Sequence, residues 1–142
     1  MTRQHDDPSV ALNEVLSEVI NVVQDVKQAY RKVPGTHALH ASLDHLSDAL
    51  RAWAQLLLEQ DERLGISPLA SMPSVAGRQP PNLWPGAATD EEVRQLIDQH
   101  LERLGQHVAA ALAPQDDERS RAALASIERG VTVQRNRLRE GE

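Results

Sequence analysis

The sequence contains no cysteine and no phenylalanine, and it has only one tyrosine and two tryptophans. Without cysteine the chain can form neither a disulfide nor a thiolate metal site, so nothing in it indicates an oxidising compartment. No apolar run approaches the roughly 18 residues that a membrane span needs, and residues 1–7 are polar, unlike a secretory signal. These absences predict a cytoplasmic protein that does not enter a membrane.

The charge balance also excludes a class of partner. A net charge of −6 at pH 7 opposes tight nonspecific binding to nucleic acid, because lysine and arginine that neutralise phosphates dominate such binding. The chain has no glycine-rich phosphate loop and no nucleophile elbow. Its 142 residues are enough to bury most of the apolar surface of the unfolded chain, and we predict a single domain over residues 1–142.

Apolar residues recur at helical spacing in four segments, and each segment places leucine, valine and isoleucine on one face. Turn and capping residues mark the ends of these segments, among them Gly65 after the second and a capping box of Thr89 and Glu92 before the third. The predicted helices cover about 8–33, 37–64, 90–113 and 117–139. The core residues predicted for the second helix are Leu39, Leu43, Leu46, Leu50, Trp53, Leu57 and Leu64.

The link over residues 66–88 is much longer than the other two links and contains five prolines. Short links make the first and second helices, and the third and fourth, antiparallel pairs, whereas the long link can traverse the length of a bundle. One long crossover is the wiring of ferritin-like proteins. The sequence therefore predicts an all-α, ferritin-like antiparallel four-helix bundle with a long crossover between helices 2 and 3.

The second helix carries a polar stripe on the side opposite its leucines. If two copies of this helix cross antiparallel about a two-fold axis near Ala49 and Leu50, residues equidistant from that axis meet. His37 then faces Glu62, and His40 faces Glu59, with no like charges opposed. The stripe consists of His37, His40, Asp44, Asp48, Arg51, Gln55, Glu59 and Glu62.

Three interpretations of this stripe remain open on these grounds. It is a solvated helix face, a dimer interface without a metal, or a metal site completed by a second subunit, since imidazole with carboxylate suits iron or another divalent metal. A separate metal site inside the bundle is a further alternative, formed by His100 and His107 together with His40.

The same segment resembles the Dps family, the miniferritins that protect bacterial DNA under stress and store iron. The sequence His40-x3-Asp44, preceded by Ala38-Leu39, matches the family's ligand motif on the second helix, and Glu59 stands where the family has its glutamate. Lys27-Gln28-Ala29-Tyr30 is similar to the family's first-helix motif, with Tyr30 in place of histidine. Gln55 likewise replaces an aspartate.

The resemblance implies a homo-oligomer, dimeric through helix 2 and assembled into a shell of up to twelve subunits, with iron bound between subunits. His40, Asp44 and Glu59 are the expected iron ligands, and iron(II) oxidation there would be ferroxidase chemistry. Direct DNA binding is not expected, because only Arg3 precedes the first helix where many members have a lysine-rich tail. The alternative is a noncatalytic helical-bundle oligomer with a structural or partner-binding role. Weaker ligand candidates are Tyr30, Gln55, His37 and Glu62.

Overall fold

A computed structural model describes residues 8–32, 37–67 and 89–140, and these form four α-helices. The bounds agree with the predicted segments to within one residue, and Val33 and most of the predicted crossover, residues 68–88, lie outside the described part. The helices are α1 (Pro8–Lys32), α2 (His37–Leu64), α3 (Asp90–Leu112) and α4 (Glu118–Glu140).

Each helix packs against two neighbours, so that α1 contacts α2 and α3, and α4 contacts α3 and α2. Arg63 near the end of α2 binds Asp117 just before α4, and Arg94 early in α3 donates to the carbonyl of Leu138 near the end of α4. The first contact places the end of α2 beside the start of α4, and the second shows that α3 and α4 are antiparallel. The end of α2 therefore lies beside the end of α3. Because those two helices run parallel, the chain between them joins opposite ends of the bundle, as the ferritin-like prediction requires.

Burial of the leucine stripe orients α2. Six of the seven predicted core residues of this helix are 0–5% exposed, which confirms the period of the pattern. Leu64 is the exception, with 38% of its surface exposed. Its predicted burial is wrong because the helix ends at this residue, and Ile66, beyond the reversal at Gly65, packs against the core instead.

Local hydrogen bonds explain three of the helix boundaries. Thr89 and Glu92 form the predicted capping box at the start of α3. Gly65 has φ +71°, and the amides of Gly65 and Ile66 donate to the carbonyls of Glu62 and Asp61 in a Schellman motif. Asp117 caps α4 by accepting from the amide of Ser120 at 3.0 Å. The sequence also predicts that Asp7 and Thr36 cap α1 and α2 and that Pro34-Gly35 ends α1. These four residues lie outside the described part of the chain.

A bidentate ion pair ties α3 to α4. Arg135 donates to the two carboxylate oxygens of Asp98 at 2.8 and 3.1 Å, and Glu102 lies 3.8 Å from the same guanidinium. The hydrogen bonds from Arg135 lower the pKa of Asp98.

Among the helices that the structure describes, none combines the length and the hydropathy that a membrane span requires.

Trp53 fills the space between α2 and α4 and sits directly on the backbone of Gly130. The indole is 5% exposed, and a Cβ added at Gly130 would lie 2.8 Å from two of its ring atoms. The helix α4 therefore needs glycine at this position to admit the ring.

We expect Gly130→Ala to lower the free energy of unfolding by about 1 kcal/mol, because overpacking against a buried ring exceeds the gain in helix propensity. Gly105→Ala is the matched control, since its Cβ would lie 3.5 Å from Val131, an ordinary contact, and should raise stability by about 0.5–1 kcal/mol. Urea unfolding measures both. Equal stabilisation by the two alanines would contradict the packing of Trp53 on α4.

Asp61 is a buried carboxyl group in the last turns of α2. It is 1% exposed, and neither of its carboxylate oxygens has a hydrogen-bond partner. Burial away from water raises its pKa from 3.8 to about 6. The folded chain therefore holds this proton more tightly than the unfolded chain, and the buried charge destabilises the fold above the folded-state pKa.

The stability of the protein should fall as pH rises from about 4 to above 6, because the unfolded chain loses the Asp61 proton first. Asp61→Asn removes the charge and should raise the melting temperature at pH 8 by about 5 °C, on the order of 2 kcal/mol, with the gain disappearing below about pH 4. Thermal unfolding across pH tests this, with the exposed Asp116→Asn as control. A gain of equal size at pH 4 and pH 8 would show that desolvation of the charge is not the cause.

Candidate functional site

The polar stripe of α2 lies on the outside of the subunit. Because the leucines occupy the opposite side of the helix, the stripe's carboxylates and amide face away from the core, and His40 at its N-terminal end is half-buried. The side chain of His37, the first residue of α2, lies outside the part of the chain that the structure describes. The exposed members are Asp44, Asp48, Arg51, Gln55, Glu59 and Glu62.

Tyr30 of α1 reaches across to this stripe. Its hydroxyl donates a hydrogen bond to Oδ1 of Asp44 and lies 3.4 Å from the carbonyl oxygen of His40. Partial burial, followed by this hydrogen bond and by the charges of Asp44 and Asp48, raises the pKa of Tyr30 to about 12. The phenol is therefore neutral and acts as a donor at physiological pH.

His40 stands beside the same tyrosine with one ring nitrogen unused. The two ring centroids are 5.4 Å apart with an interplanar angle of 48°. Nε2 of His40 is buried and has no hydrogen-bond partner, although buried polar atoms are normally paired. An orphaned imidazole nitrogen next to a carboxylate fits the requirements of a metal ligand.

The remaining predicted ligands lie at the other end of the stripe. Gln55 donates to Oε1 of Glu59 at 3.4 Å, which orients the glutamate along the helix surface. Glu59 follows Asp44 by 15 residues on one continuous helix, a separation of about 22 Å along its axis. Tyr30, His40 and Asp44 are thus brought together in one subunit, whereas Glu59 and Glu62 are not part of that group.

Among the residues that the structure describes, no three His, Asp or Glu side chains are close enough to hold a metal ion within one chain. This also bears on the alternative site inside the bundle. His100 pairs with Asp25 of α1 through Nδ1 at 2.5 Å, while His107 and His45 are exposed. The intrabundle site proposed from His40, His100 and His107 is therefore not formed in the described part of the chain.

The pair of Asp25 and His100 is a feature that the sequence analysis missed. Asp25 is 6% exposed and follows Val22 by three residues, so it falls on the apolar side of α1. A carboxylate within an apolar helical period was the available signal that a partner must face it, because a buried charge is normally paired. The pair joins α1 to α3.

Comparison with known proteins identifies the fold. No protein-family model and no curated protein sequence matches this chain. A solved structure, Dps from Microbacterium arborescens in the high iron form, matches with a TM-score of 0.77 and 23% sequence identity, over 92% of this chain and 91% of that chain. The likeness confirms the predicted resemblance at the level of the fold: this chain has the ferritin-like four-helix bundle of Dps.

Proposed function

We propose that this chain is a Dps-like protein that binds iron(II) between subunits and stores it after oxidation. The observation that carries the proposal is the position of His40, Asp44 and Glu59 on the outer face of α2, on a fold shared with a Dps solved in a high iron form. Iron is the substrate and cargo of such a protein. Imidazole and carboxylate are donors that suit it.

The separation of the ligands along α2 requires a second subunit. His40 and Asp44 lie near one end of the stripe and Glu59 lies near the other, so an isologous antiparallel pair of α2 helices sets the two groups against each other twice. Each dimer then has two equivalent sites. In each, one subunit supplies the imidazole with one carboxylate, and its partner supplies the second carboxylate.

The proposed chemistry needs few groups from the protein. His40 and the two carboxylates hold iron(II), and the carboxylate charges favour the ferric product, which forms when iron gives up one electron to peroxide or dioxygen. Gln55 contributes no charge and orients Glu59 through its amide. By analogy with the family, the oligomer is a hollow shell of up to twelve subunits in which the ferric product collects.

Anaerobic iron(II) titration of the purified oligomer, followed by calorimetry, tests the ligands. His40→Ala and Glu59→Gln should each weaken binding by at least about tenfold, since each removes a direct ligand. The controls are His45→Ala, an exposed histidine on the same helix, and Glu91→Gln, a glutamate that accepts from a glutamine four residues away as Glu59 does. An equal loss of iron(II) affinity in the control variants would contradict the assignment of His40 and Glu59 as ligands.

Mixing the two variants tests whether the site is shared. If His40 and Glu59 act across the dimer, subunits carrying His40→Ala and Glu59→Gln that are co-expressed form mixed dimers in which one site regains both ligands. Random pairing then restores iron binding at about one site in four, although each variant alone binds poorly. Mixed oligomers that bind no better than either variant would place both ligands in the same subunit.

A noncatalytic oligomer is the second candidate, favoured by the hydrogen bond that occupies Asp44 and by the uncharged Gln55. In that case α2 pairs through its polar stripe without a metal. The wild-type protein would then assemble and show no iron(II) binding in the titration, and exposure to peroxide would produce no ferric absorbance.

A further inference from the structure

We propose that Tyr30 lowers the affinity of the inter-subunit site for divalent metal, because its hydroxyl holds Asp44 in a hydrogen bond that an incoming cation must displace. The inference rests on the proposed function, since it concerns one of the ligands assigned there. It gives Tyr30 the role of a residue that sets affinity by competing for a ligand.

The tyrosine is held firmly enough to act in this way. Its side chain is half-buried and packs against the hydrophobic core, and the ring lies beside that of His40. The hydroxyl therefore approaches Asp44 from a fixed position on α1, whereas the carboxylate it binds is on an exposed part of α2. Asp44 is held toward its own subunit before any cation arrives.

The bond is of a kind that competes effectively with a metal. A hydroxyl that donates to a carboxylate forms a charge-assisted hydrogen bond, which is about twice as strong as a neutral one. It engages Oδ1 and so opposes bidentate binding of a cation by this carboxylate. A tyrosine hydroxyl is ordinarily protonated at neutral pH, so the donor is present under physiological conditions.

A direct ligand role for Tyr30 predicts the opposite effect of mutation. If the phenol oxygen bound the metal, its removal would weaken binding. If it competes for Asp44, removal of the hydroxyl strengthens binding, and the gain depends on the carboxylate. The sign of the change and its dependence on Asp44 therefore distinguish the two roles.

A double-mutant cycle with Tyr30→Phe and Asp44→Asn tests the proposal, with anaerobic iron(II) and then cobalt(II) as probes. Tyr30→Phe keeps the ring beside His40 and should tighten binding by about 3–10-fold. Tyr30→Phe combined with Asp44→Asn should bind no better than Asp44→Asn alone. The visible absorption of bound cobalt(II) reports on the ligand set independently of oxidation activity, and urea unfolding of each variant establishes that it folds.

The outcomes separate this inference from the proposed function. If the wild-type protein binds iron(II) and Tyr30→Phe binds it with equal or lower affinity, the competition is contradicted and the proposed iron site is retained. Binding by Tyr30→Phe alone supports the competition and overturns iron binding by the natural chain. Absence of binding in both proteins overturns both. A gain that persists in the Asp44→Asn background also overturns the proposal, because the effect would not pass through that carboxylate.

Discussion

Burial of the leucine stripe of α2 is the constraint on which the rest of the structure depends. Residues from Leu39 to Leu57 on this stripe are inside the bundle, and full burial of one leucine contributes about 1.5–3 kcal/mol relative to exposure. A rotation of α2 that brought the polar stripe inward would lose several such contributions and bury carboxylates without partners. The helix can therefore have only one orientation, and His40, Asp44 and Glu59 follow from it.

The same constraint makes the candidate site incomplete in a single subunit. A straight helix cannot bring Asp44 and Glu59 together, since they are about 22 Å apart along its axis. What a helix offers is a row of donors, and a second row running in the opposite direction complements it. Metal binding at this site therefore requires self-association, because the surface that would form the dimer is the surface that carries the ligands.

Much of the fold could be predicted because it depends on period and on local chemistry. Helical spacing identified all four helices, and the capping box at Thr89 and the glycine at Gly65 placed two boundaries through hydrogen bonds among near neighbours in sequence. The prediction that Leu64 is buried was wrong, because the apolar period continues to the last residue of a helix whether or not a neighbouring helix still covers that residue. Its exposure depends on where the chain turns.

The contacts of the site were harder to predict for a different reason. The bond from Tyr30 to Asp44 joins residues on different helices, and its existence depends on the rotation of α1 against α2, which a period does not specify. Asp25 and Asp61 are both acidic residues within apolar faces, yet Asp25 pairs with His100 whereas Asp61 has no hydrogen-bond partner. Their burial was not predicted from the sequence, because the packing of the helices decides both which acidic side chains are enclosed and which partners they meet.

The most direct test of the account is cysteine crosslinking between subunits, which the absence of native cysteine makes unambiguous. In an antiparallel pair of α2 helices, position 44 of one subunit faces position 55 of its partner, while like positions lie about 16 Å apart along the axis, beyond the reach of a disulfide. Subunits carrying Asp44→Cys mixed with subunits carrying Gln55→Cys should form covalent dimers on mild oxidation, and neither variant should do so alone. Disulfide formation between two Asp44→Cys subunits, or between two Gln55→Cys subunits, would contradict the shared site. So would crosslinking of the mixture that is no greater than that of the control Arg103→Cys, on the exposed side of α3.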